Sequence, residues 1–138
     1  MSAILAVNLV AVLAAGIVAM ILGFIWYGPL FGKKWMELTG KTMKDFEKMK
    51  SGMPKAYLQG FILALVTAYV LAHFVKYAGA ATAIDGAITG AWVWLGFSVT
   101  LMYGSVLWEG KDKRLFLLNS GHYLVNYLVM GAILAAMP

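Results

Sequence analysis

Cysteine is absent from the 138 residues, so disulfide frameworks, thiol nucleophiles and thiolate metal sites are all excluded. Charge is scarce: Asp, Glu, Lys and Arg together make up 12% of the chain, with 6 acidic residues and 2 histidines. No serine stands with a histidine and an acid in a nucleophile pattern, and no His/Glu cluster has metal-ligand spacing. The 15 glycines are scattered through apolar stretches instead of forming a phosphate-binding loop. These gaps argue against hydrolytic, nucleotide-dependent and metal-centred chemistry. The chain is expected to be no enzyme and to hold no cofactor and no metal. The aromatic residues read as interfacial or core side chains, not as a nucleic-acid platform.

What remains is apolar. Hydrophobic residues make up 62% of the chain, whereas soluble domains average about 45–50% apolar and about 25% charged. Such a composition takes lipid as its solvent. Four segments, at about 3–27, 56–77, 83–108 and 115–137, each reach the roughly 20 apolar residues needed to cross about 30 Å of hydrocarbon. The first has no basic stretch before it and is too long for a cleaved signal. The sequence therefore predicts an all-α fold, an integral membrane four-helix bundle, with residues 1–138 forming a single transmembrane domain.

The basic residues set the orientation. Loop 28–55 carries Lys33, Lys34, Lys41, Lys44, Lys48, Lys50 and Lys55, and loop 109–114 carries Lys111, Lys113 and Arg114. The connection between the second and third segments carries Lys76 alone, so the 11 basic residues divide ten to one. Cytoplasmic loops hold the excess of Lys and Arg. Loops 28–55 and 109–114 are thus expected inside, with both termini outside the cell (inner) membrane. Trp26, Tyr27, Trp35, Tyr57 and Trp108 fall at the inner boundary, where amphipathic rings prefer to sit.

Loop 28–55 is the largest polar element. Gly28-Pro29 is expected to end the first helix, because a residue before proline avoids the helical region, and Pro29 joins Trp26, Tyr27, Trp35 and Trp108 among the interfacial anchors. Phe31, Trp35 and Leu38 recur at helical spacing, with Gly40 placed to terminate that helix. Thr42 and Asp45 form a capping pair for a second short helix bearing Met43, Phe46 and Met49. Both pieces are amphipathic and lysine-rich, and are expected on the inner leaflet. The alternative is a docking surface for a cytoplasmic partner.

Helices in lipid associate by close backbone approach, so small residues mark their interfaces. Ala11, Ala15, Ala19 and Gly23 form one such ladder, and Gly60, Ala64, Ala68 and Ala72 another. Gly86 and Gly90 recur in the third segment, Gly131 and Ala135 in the fourth. The fourth segment also has a polar face, Asn119, His122 and Asn126, beside Tyr123. Depth counting from the helix ends makes Thr67, Ser98 and Thr100 its candidate partners, with Gln59 and Ser105 nearer Asn119. This polar set reads either as interhelical hydrogen bonding or as an intramembrane binding or proton-relay site. No buried Asp or Glu accompanies His122. His73 shares a helix face with Tyr69 and Tyr77 near the other surface, separated from His122 by roughly 15–20 Å of helix rise, too far for one haem to be held by both.

The stretch Trp26-Tyr27-Gly28-Pro29-Leu30-Phe31-Gly32, followed by Trp35 and Gly40, resembles the opening signature of a mainly bacterial membrane family, domain of unknown function 1761. Trp94-Leu95-Gly96-Phe97, Glu109-Gly110, Leu115-Phe116 with Asn119, and Gly131-Ala132-Ile133 extend the likeness over nearly the whole chain. The resemblance implies a four-span protein of similar length and brings no activity with it. It also implies a Tyr-then-His order in the fourth helix, where this chain has His122-Tyr123.

The expected partners are the lipid bilayer and either a second copy or another membrane protein, not nucleic acid. The expected function is that of a non-enzymatic bundle, a homo-oligomer or an accessory subunit of a membrane complex. The rival expectation is a small-solute or ion transporter or channel, or a lipid or small-ligand binder, using the polar face of the fourth helix.

Overall fold

The structure, a computed structural model, describes residues 5–138; the expected start of the first segment at residue 3 lies outside them. Every regular element among the described residues is helical. Helix α1 runs Leu9–Ile25, α2 Gly32–Thr39, α3 Met43–Met49, α4 Met53–Tyr77, α5 Ala83–Trp94, α6 Thr100–Glu109 and α7 Lys113–Ala136. A wider π turn, Trp26–Leu30, extends α1, and a second, Leu95–Val99, joins α5 to α6 without a break.

Side-chain caps fix most of the starts. Asn8 accepts hydrogen bonds from the Val10 and Ala11 amides at 3.0 and 3.2 Å. Its own amide nitrogen donates to the Met137 carbonyl at 3.3 Å, so the beginning of α1 is tied to the end of α7. Thr42 and Asp45 form the anticipated reciprocal capping box on α3. Thr82 caps α5 and Asp112 caps α7. Gly40 ends α2 in the left-handed region at φ 74°, which glycine adopts without a side-chain clash.

Pro29 does not end the first helix as its sequence context predicts. The chain passes through it in the π turn, where the Phe31 amide reaches back five residues to the Trp26 carbonyl at 2.9 Å. A proline removes one donor, and the five-residue register keeps the flanking groups bonded around that loss.

Helix α7 lies at the centre: α1, α4, α5 and α6 all touch it, and α2 rests against it too. It runs antiparallel to α1, as Asn8–Met137 with Trp26–Leu118 requires, and to α5, as Gly86–Gly131 with Trp94–Ser120 requires. The core is built where α1, α4 and α7 meet: Ala11, Val12, Ala15 and Ala19 pack with Ala68, Leu71, Ala72 and Val75, and with Met130, Leu134 and Ala135. Alanines dominate the α1 and α4 faces, so the backbones approach closely. The α5–α7 contact is tighter still. A Cβ at Gly86 would overlap the Gly131 carbonyl, and one at Gly90 would overlap the Tyr127 carbonyl.

By length and composition, three helical stretches among the described residues could cross a membrane: Leu9–Leu30, Met43–Tyr77 and Ala83–Glu109. Helix α7 has 24 residues but carries Asn119, His122 and Asn126, and it is not among those three.

Candidate functional site

The anticipated polar face of the fourth long helix turns towards α1, and the π turn meets it. Consecutive side chains on a regular helix diverge by about 100°. The wider turn narrows that angle, and Trp26 and Tyr27 both reach α7. The Trp26 indole donates to the Leu118 carbonyl at 3.1 Å. The Tyr27 hydroxyl donates to Asn119 Oδ1 at 2.7 Å. One turn along α7, His122 is buried, with 8% of its surface exposed. Its ring centroid lies 4.9 Å from that of Tyr27, 5.1 Å from Tyr123 and 6.0 Å from Trp26. Asn126 Nδ2 lies 3.4 Å from His122 Nε2. Gly23 of α1 completes the surround: a Cβ there would sit 3.7 Å from His122 Nε2.

On the opposite side of α7 the Trp94 indole donates to the Ser120 carbonyl at 2.9 Å, and the Ser98 hydroxyl to the Tyr127 hydroxyl at 2.9 Å. The helix is therefore held from two sides by tryptophan and hydroxyl side chains. Sequence reasoning places Trp26 and Tyr27 at a lipid boundary and gives Trp94 no polar role. The available signal was pairing of aromatic tips with a polar helix, since a buried indole N–H or phenol seeks an acceptor.

The other anticipated partners divide. Ser98 reaches α7 but meets Tyr127, not Asn126. Thr67 does not join the cluster; its hydroxyl bonds the Leu63 carbonyl of its own helix at 3.0 Å. The face of α4 turned to the core is Ala68, Leu71, Ala72 and Val75, and Thr67 lies off it. Thr100 and Ser105 likewise bond their own helix, to Gly96 and Met102. His73 is buried elsewhere, with Nδ1 2.9 Å from the Tyr69 carbonyl oxygen.

The remaining anchors sit at the N-terminal end of α7 and beyond. Pro29 lies inside the π turn. Trp35 stacks edge-on to Tyr27 at 6.0 Å and packs on Phe46 at 5.9 Å, while the Lys41 ammonium lies 5.1 Å over its ring. Trp108 is 86% exposed. Beside them, the Arg114 guanidinium and backbone amide bond the Asp112 carboxylate at 2.9 and 2.7 Å. These bonds, the guanidinium's first, hold the Asp112 carboxyl below its ordinary pKa.

Chemically, the α1–α7 seam offers neutral donors and acceptors in an aromatic surround. Among the described residues, no group of three or more His, Cys, Asp or Glu side chains is placed to hold a metal ion.

The family model described as Protein of unknown function (DUF1761) matches residues 10–135, nearly the full length. The chain belongs to this family. The first π turn lies in the segment Trp26 to Gly32 that carries the DUF1761 resemblance, and the second overlaps the segment Trp94 to Phe97. No curated protein and no solved structure matches the chain.

Proposed function

We propose that this DUF1761 protein is a four-span integral membrane protein that works by associating with other membrane helices and not by catalysis. The observation that carries the reading is the third long helix. Of its most apolar stretch, 6% is buried within the protein, against 28% in each of the other two. It touches α7 through Gly86, Gly90, Trp94, Ser98 and Tyr103 and meets Phe74 of α4 through Phe97, yet much of its outer surface stays exposed. Trp92 is 68% exposed and Leu101 75% exposed. Apart from its chain neighbours and its own helix backbone, nothing among the described residues comes within 4 Å of a Cβ built at Gly96. A helix in lipid gains no hydrophobic drive from association, so a tryptophan-flanked face with a glycine favours close approach of another helix.

Helix α7 is the fourth span in this reading. Its 24 residues rise about 36 Å at roughly 1.5 Å each, enough for the hydrocarbon core. Polar side chains are tolerated inside a bilayer when they face the bundle and find partners. Asn119 is met by Tyr27, and Asn126 and His122 meet each other. In this reading the lysine-rich loops 28–55 and 109–114 face the cytoplasm and both termini lie outside, in keeping with the excess of Lys and Arg in cytoplasmic loops. The amphipathic α2 and α3 then lie along the inner leaflet.

Native mass spectrometry of the protein, gently extracted from its own host, tests the reading. A defined homo-oligomer or a stoichiometric foreign membrane subunit supports it. A monomer at concentrations matching its membrane density overturns it.

A further inference from the structure

The net charge of +5 belongs to one end of the molecule. The connection between α4 and α5 carries Lys76 and Asp85, which cancel. Segment 28–55 alone holds seven lysines against Glu37, Asp45 and Glu47. The structure separates those lysines by what holds them. Lys34 lies 3.8 Å from Glu37, and the Lys41 ammonium lies 5.1 Å over the Trp35 ring. Asp45 is committed to Thr42, in the box that caps α3. Among the described residues, Lys44, Lys48, Lys50 and Lys55 form no ion pair, and all four are exposed. Lys44 and Lys48 stand four residues apart on one face of α3. Lys50 follows in the short turn Lys50–Gly52 that leads into α4.

The same helix shows exposed apolar side chains beside that row. Phe46 packs on Trp35 at 5.9 Å. Met43 and Met49, three residues to either side of it, stay 68% and 44% exposed. Trp35 in turn meets Tyr27 of the π turn edge-on at 6.0 Å. Phe46 and Trp35 thus hold α3 at the end of the bundle where α1 finishes and α4 begins. With α1 and α4 crossing the bilayer, that end is the membrane surface. A row of unpaired ammonium groups beside flexible thioethers suits one partner there. The ammonium groups meet phosphate oxygens, and the methionines enter the boundary between headgroups and acyl chains.

We propose that α3 and the turn after it bind the headgroups of anionic phospholipids, with Lys44, Lys48 and Lys50 on the phosphates and Met43 and Met49 inserted beside them. The inference rests on the four-span reading and adds a lipid partner to it.

Native mass spectrometry of the full-length protein, released from nanodiscs of phosphatidylglycerol and phosphatidylcholine in equal amounts, tests this surface. Phosphatidylglycerol should be enriched among the lipids that stay bound. Replacing Lys44, Lys48 and Lys50 together by Gln should reduce that enrichment about fivefold or more, the factor that one lysine near an anionic surface contributes. Replacing the same three by Arg should preserve it. Equal retention of the two lipids by the wild-type protein overturns the proposal and returns the face to a protein partner. Enrichment that the Gln variant leaves unchanged overturns it too, as does a loss that the Arg variant shares, because charge is then not the cause. A chain that fails to enter the nanodiscs overturns the four-span reading and this inference with it. One that enters without lipid preference overturns this inference alone.

Discussion

Gly86 and Gly131 meet backbone to backbone: a side chain on either would strike the carbonyl oxygen of the other. The obstacle is rigid main chain, so α5 and α7 must separate to admit even one methyl. Gly131→Ala should therefore cost about 1–3 kcal/mol in stability, in spite of alanine's better helix propensity. Gly16 is the contrast. A Cβ there meets the Leu65 side chain, whose end can turn aside, and Gly16→Ala should be close to neutral. Unfolding in detergent mixtures ranks the two variants, and equal costs would refute the close α5–α7 seam.

Tyr27→Phe removes the hydroxyl that Asn119 accepts at 2.7 Å. Hydrogen bonds between membrane helices average about 0.6 kcal/mol and reach about 1.7, and a loss within that range is expected. Asn119→Ala should cost less in the Tyr27→Phe background than alone, because the partner has already gone. Strict additivity in that double-mutant cycle would count against the bond.

How far the fold was legible depended on the kind of signal. Helix extents followed from apolar runs and, for α3, from Thr42 with Asp45, whose side chains fix a start locally, whereas the caps at Thr82 and Asp112 went unread. Gly40 marked its helix end for the same reason. The π turns were not legible, because a widened turn leaves composition and spacing almost unchanged. Pro29 therefore read as a stop, and Trp26 and Tyr27 as boundary rings. The polar set was half legible. Counting residues from a helix end gives height but not direction around the axis. Ser98 turned towards α7, whereas Thr67, one residue from core Ala68, bonded back to Leu63.

Asp112 makes the start of α7 sensitive to acid. Its carboxyl is held below the ordinary value by the Arg114 guanidinium and amide. The stabilisation is thus complete above the carboxyl's unfolded pKa and lost as pH falls through the lower folded value. Amide hydrogen exchange at Arg114 and Leu115, corrected for intrinsic rates, should accelerate over that acidic interval. Asp112→Asn retains a capping side chain without the titration and should show a flat profile. A wild-type profile equally flat would rule out the carboxylate as the source.

The proposed orientation is open to reporter fusions. Alkaline phosphatase joined after Pro138 should be active, and joined after Gly110 inactive. The reverse pattern would invert the assignment of loops 28–55 and 109–114.

Under the four-span proposal, the central position of α7 imposes an order on biogenesis. The ribosome releases α7 after α1, α4 and α5, so the donors and rings that shelter its asparagines and histidine are already in the bilayer when it arrives. A protein built with the same helices in the opposite order would present its least lipophilic segment to the translocon first, with nothing yet in place to receive it.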